Sequence, residues 1–299
     1  MRDQDIQQRQ PILVSVDAFN KVDVLMRYAT YLANALQRPL ELFDVHFSPP
    51  SHFPRSLSRL SPGVSAQAAV IARDTETGMT ELLEQARKEW PHVRSTWRHG
   101  MATPGSIRNK TDWVLQQIEK LEPQLVLTEL GAEANWWTEQ FGTGETALAN
   151  RADSPVLVIP RGIRFQRIER ILLVLDLEDH GSRPPAELDF LLPLARKLDA
   201  NLGIACLPRA SDSKHLHRAR IERIFRQISY PKAFMSVYTD RQTLPEVLRV
   251  AENSRTNLFA FISRERSFFE RLFGRPEGRK VLLRANIPVL VFPSTEGFK

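Results

Sequence analysis

Ile12-Leu13-Val14-Ser15-Val16-Asp17 returns later in the chain as Ile171-Leu172-Leu173-Val174-Leu175-Asp176. Pro155-Val156-Leu157-Val158-Ile159-Pro160 likewise returns as Pro288-Val289-Leu290-Val291-Phe292-Pro293. The first motif of each pair is a short β run closed by an acid. The second is a β run fenced by prolines, which begins 138 residues after that acid in the first half and 112 in the second. Repetition of this kind implies one fold written twice, each copy opening and closing on a strand.

Between these markers the pattern alternates. Val24, Leu25, Tyr28, Leu32 and Leu36 recur at spacings of three and four and predict a helix over 22–36, followed by a strand over 40–47. Residues 48–63 hold four prolines and several serines and read as a connection. A helix within 66–90, a strand at 93–98, a helix at 106–121, a strand at 125–130, a helix near 144–152 and a strand at 156–159 complete the first copy. The second copy repeats the order with strands at 171–175, 202–207, 233–238, 257–262 and 289–292, and helices near 185–199, 213–228, 243–253 and 277–285. Strand and helix in strict alternation imply a mainly parallel sheet with helices on both faces, because parallel neighbours need a crossover. Apolar runs such as Leu125-Val126-Leu127 and Leu258-Phe259-Ala260-Phe261 suit strands buried on both sides. The connector 161–170 is short and charged.

With 299 residues and 42% hydrophobic content, the chain can bury two cores of ordinary size. Its single cysteine, Cys206, lies in an apolar run and permits no intramolecular disulfide, which fits a reducing, cytoplasmic setting. The first ten residues are polar, and no stretch approaches the roughly 18 apolar residues of a membrane helix, so no membrane association is expected. The net charge of +6 divides unevenly, as −3 over residues 1–160 (16 Lys+Arg, 19 Asp+Glu) and +9 over 161–299 (25 and 16). That imbalance permits attraction to an acidic partner.

The Asp-terminated first strand, the second strand Leu42-Phe43-Asp44-Val45-His46, the fourth strand running into Leu130-Gly131 and the closing Pro-Val-Leu-Val come in one order, twice. In this the chain resembles the universal stress protein family in its tandem form, over about 280 residues. The resemblance implies two doubly wound, five-stranded parallel sheets of order 3-2-1-4-5, similar to the adenine nucleotide alpha-hydrolase-like group. The domains would be 8–162 and a degenerate 166–295. It also implies a stress-response binding or regulatory protein with no turnover chemistry of its own.

Nucleotide-binding members of that family carry Gly, two residues, Gly, nine residues, then Gly followed by Ser or Thr. Such glycines let backbone amides approach phosphates at a helix start. Here Gly131 takes the first position, Ala134 replaces the second glycine, and Gly142-Thr143 closes the motif after seven residues. Asp17 and Val45 match positions that face the adenine and ribose. The resemblance therefore implies ATP or another adenine nucleotide at Asp17, Val45, Leu130, Gly131, Gly142 and Thr143. In the second copy Ser263, Arg266 and Gly274-Arg275-Pro276 stand at the corresponding places, and a proline supplies no amide donor.

Other signals have plainer readings. Trp136 and Trp137 suit packing or partner contact better than base stacking. The stretch 264–284 interleaves Arg264, Arg266, Arg271, Arg275, Arg279, Lys280 and Arg284 with Phe268, Phe269 and Phe273. A solvated basic surface over anchored rings explains it; the alternative is a scaffold that binds an acidic partner or nucleic acid there, of which nucleic acid is the less expected. His215 and His217 lack metal spacing, and no metal or catalytic residues are expected. The fifth strand of such a sheet is an apolar edge that needs cover. Val156 to Ile159 and Val289 to Phe292 are expected to meet across a pseudo-twofold axis, as an intramolecular pseudo-dimer. A further homodimer and an unidentified protein partner stay open.

Overall fold

The computed structural model describes residues 10–16, 23–47, 93–102, 110–130, 154–160, 162–176, 186–207, 214–236, 255–262 and 287–292, with scattered positions between 77 and 91. The chain forms two compact units, Met1–Thr128 and Glu129–Lys299.

In the first unit, β1 (Ile12–Val16) is followed by α1 (Asp23–Leu36), β2 (Leu40–Phe47), β3 (Ser95–Ala102), α2 (Lys110–Leu121) and β4 (Leu125–Leu130). The strands lie in the order β3-β2-β1-β4, all parallel. All five residues of β1 are buried, as expected of a central strand covered on both faces. On α1, Leu25, Met26, Ala29, Leu32, Ala33 and Leu36 are buried at helical spacing.

The second unit contains β5 (Val156–Pro160), β6 (Arg170–Asp176), α3 (Leu188–Leu198), β7 (Asn201–Leu207), α4 (Lys214–Arg226), β8 (Ala233–Ser236), β9 (Leu258–Ile262) and β10 (Val289–Val291). Its order is β5-β10-β9-β6-β7-β8. From β10 to β8 the neighbours are parallel, and this is the 3-2-1-4-5 order expected for the second copy. β5 pairs antiparallel with β10, placing Val158 opposite Val289, Leu157 opposite Leu290 and Val156 opposite Val291. The two proline-fenced runs thus share main-chain hydrogen bonds in one plane, and neither presents an open apolar edge to the other's side.

Three backbone devices recur in the two halves. Each helix before the second strand ends in a Schellman turn: Gln37 N–H donates to Asn34 O at 3.2 Å and Arg38 N–H to Ala33 O at 3.0 Å, while Asp199 N–H donates to Arg196 O at 3.2 Å and Ala200 N–H to Ala195 O at 2.9 Å. Leu40 N–H donates to Arg94 O at 2.8 Å, and Leu202 N–H to Lys232 O at 3.0 Å. Gln124 N–H donates to Pro11 O and Asn257 N–H to Arg170 O, both at 2.9 Å. The turns use left-handed backbone without glycine, at Gln37 (φ 56°), Glu122 (43°), Asp199 (54°) and Arg255 (54°).

The connector 163–169 is docked to its unit despite its charge. Ile163 and Ile168 are buried, and Asn257 Oδ1 accepts from the amides of Glu169 at 3.0 Å and Arg170 at 3.1 Å. The expected helices at 144–152, 243–253 and 277–285 lie outside the described residues.

Candidate functional site

In a sheet wound outward from a central strand, ligands bind beyond the carboxyl ends of the strands, where the winding reverses. In the first unit that strand is β1, with β2 on one side and β4 on the other. Val16, its last residue, is opposite Asp44, so Val45 lies one residue further along β2. Ser15 is opposite Thr128, and Leu130 closes β4 two residues later. Asp17 follows Val16 directly in sequence, but it lies outside the described residues, as do Gly131, Gly142 and Thr143.

Beneath this end of the sheet the strands carry a feature that sequence reading passed over. Ser15 and Thr128 are register partners on adjacent parallel strands, on one face of the sheet, with 4% and 2% of their surface exposed. Two buried hydroxyls supply hydrogen-bonding capacity without charge, where the neighbouring positions Val14, Val16, Val126 and Leu127 are apolar. Phe43, on the neighbouring strand opposite Ser15, completes the row.

The same row in the second half is apolar. Val174 stands opposite Phe261 on β6 and β9, both are buried, and the Phe261 ring stacks on Phe259 at 4.3 Å between centroids. Ser15 occupies the position of Val174 in the repeated hexapeptide, a clue visible in the sequence. That Thr128 corresponds to Phe261 emerges only from the pairing of the strands. Asp176 closes β6 opposite Leu207, whereas Ser263, Arg266 and Gly274 to Pro276 lie outside the described residues, as do Trp136, Trp137 and the stretch 264–284.

Among the described residues no group of three or more His, Cys, Asp or Glu side chains is placed to hold a metal ion. Among them, too, no helix is long and apolar enough to cross a membrane.

The strand order, the parallel ladders and the helical crossovers define a doubly wound α/β protein. No protein-family model matches the chain, and no curated protein matches it. Solved structures do. A universal stress protein from Archaeoglobus fulgidus DSM 4304 aligns over 96% of this chain and 98% of its own, with a TM-score of 0.62 at 12% identity. A functionally unknown protein from Pseudomonas aeruginosa PAO1 covers 98% of this chain and 95% of its own, with a TM-score of 0.58 at 13% identity. The cytoplasmic domain of a prokaryotic cation chloride cotransporter covers 97% of each, with a TM-score of 0.52 at 14% identity. The chain has the universal stress protein fold.

Proposed function

We propose that this chain is a tandem universal stress protein, with domains at 8–162 and 166–295, that acts in the cytoplasm as a stress-response binding or regulatory module without turnover chemistry. Within one molecule the two copies take the place of the paired subunits of single-domain relatives. The first copy holds an adenine nucleotide through Asp17, Val45, Leu130, Gly131, Gly142 and Thr143, and the second holds none.

The observation that carries this reading is the difference between the two switch-point rows. A buried polar group without a partner costs roughly 1–3 kcal/mol, so the two rows differ in the hydrogen-bonding capacity they hold. Ser15 and Thr128 keep that capacity under the first site, while Val174 and the Phe259–Phe261 stack fill the same level of the second. The glycine pattern agrees, since Gly142-Thr143 survives in the first copy and Arg275-Pro276 follows Gly274 in the second.

The test is to denature the purified protein, identify any small molecule it releases, and titrate the refilled or emptied protein with ATP, ADP and AMP. Release of an adenine nucleotide, or saturable binding of one, supports the reading. If neither is found at millimolar nucleotide, the chain is a scaffold, which Ala134 in place of the second glycine and the short loop after it would explain.

A further inference from the structure

The outer edge of the second unit combines three features that the nucleotide reading leaves unused. β8 stands last in the strand order, so along one side its main-chain groups pair with no strand among the described residues. An open row of this kind is a template for an added strand.

Phe234, on that strand, is a large hydrophobic side chain that remains 50% exposed. It stands opposite Gly203 on β7, and a Cβ at 203 would come within 2.9 Å of its Cζ. The glycine lets the ring lie down against the sheet beside Leu172, which is 3.3 Å from the same point. Covering Gly203 occupies one side of the ring and leaves the other to solvent.

The third feature is charge. Parallel strands oblige each crossover helix to run back, so the carboxyl ends of α3 and α4 come to the amino ends of β7 and β8. α3 ends with Arg196 and Lys197, α4 with Arg223 and Arg226, and Lys232 leads into β8. Hydrogen bonds knit the region together: the Arg196 guanidinium donates to Ser229 O, and Lys232 Nζ donates to Asp199 Oδ1 at 2.6 Å. Glu222 lies 3.0 Å from Arg218 and 3.8 Å from Arg226, whose side chain is 80% exposed. Cations at helix carboxyl ends complement the dipole; α1, the counterpart of α3, has none in its last turn, so Arg196 and Lys197 are particular to the second copy.

We propose that the β8 edge docks an extended acidic segment of a partner protein. The segment adds a strand beside Ala233–Ser236, sets an apolar side chain on Phe234, and brings its carboxylates to Arg196, Arg226 and Lys232. A row of amides and carbonyls beside one aromatic side chain fits a peptide main chain, whereas a nucleic acid strand calls for a series of stacking rings.

The test uses the full chain and a fluorescent decapeptide alternating Glu and Val, read by anisotropy at low and high salt. Saturable binding that weakens with salt is expected, as is its loss when alternate peptide amides are N-methylated. Phe234→Ser and Arg226→Glu are each expected to weaken binding by about tenfold. Arg226 is too exposed for its replacement to unfold the protein, so that variant keeps the test decisive if Phe234→Ser fails to fold. No saturable binding, unchanged affinity in Arg226→Glu, or equal affinity for a Lys/Val decapeptide or an oligothymidylate would overturn the proposal.

Discussion

Ser15 and Thr128 lie opposite each other on β1 and β4, and their counterparts Val174 and Phe261 lie opposite each other on β6 and β9. One ladder position is therefore polar in one copy and aromatic in the other, with burial near complete in both. The two cores have diverged at the level that supports the carboxyl ends of the central strands.

The copies are accordingly not interchangeable at this position. Thr128→Phe forces a ring into the space of a fully buried threonine and is expected to cost about 1–3 kcal/mol. Phe261→Ala removes one member of the Phe259–Phe261 stack and is expected to cost about 3–5 kcal/mol. Urea unfolding of the two variants checks both values.

Left-handed backbone at Glu122 carries strain that a side chain cannot relieve. Glu122→Gly is expected to stabilise the protein by roughly 0.5–1 kcal/mol, since glycine adopts that conformation freely. Gln37→Gly should gain less, because Gln37 Nε2 donates to Asn34 O at 2.7 Å and the substitution removes that bond. A rise in urea midpoint at unchanged slope is the expected reading for Glu122→Gly.

Tyr230 closes the turn before β8, its hydroxyl donating to Ala195 O and Ala200 O beneath the Arg196 guanidinium. Burial pushes its phenol above the ordinary value of 10.0; Lys232 and Arg196 act the other way, and Asp199 adds to the rise. The folded chain therefore holds this proton to higher pH than the unfolded chain. Its contribution is complete below the unfolded value and is lost as pH rises through the folded one. Tyr230→Phe is expected to cost about 0.5–1.5 kcal/mol at neutral pH. Stability should fall more steeply with alkaline pH in the wild type than in Tyr230→Phe, and unfolding followed at stepped pH values tests this.

Much of this architecture was legible in the repeated strands, because a strand buried on both faces must be a continuous apolar run. β1, β2, β4, β6, β7 and β9 lie where those runs predicted them, within a residue or so at each end. β3 begins at Ser95, two residues after the expected start, because Val93 is buried in a turn, its N–H donating to Trp90 O, before pairing begins. The Schellman turns were not legible, since Gln37 and Asp199 give no glycine signal at a position where the helix end and the following strand impose a positive φ. The candidate site was legible in part. Val45 and Leu130 lie on β2 and β4, where the apolar runs placed those strands, and Asp17 lies outside the described residues. The Thr128 half of the polar row needs the β1–β4 register, which no local pattern encodes.

The central claim is one adenine-nucleotide site per chain, in the first copy. Calorimetric titration of the emptied full-length protein with ATP, beside Asp17→Ala and Asp176→Ala, tests it most directly. The account predicts saturation at one equivalent with a Kd below about 1 mM, loss of binding in Asp17→Ala, and none in Asp176→Ala. Two equivalents, no saturation, or loss in Asp176→Ala alone would contradict it.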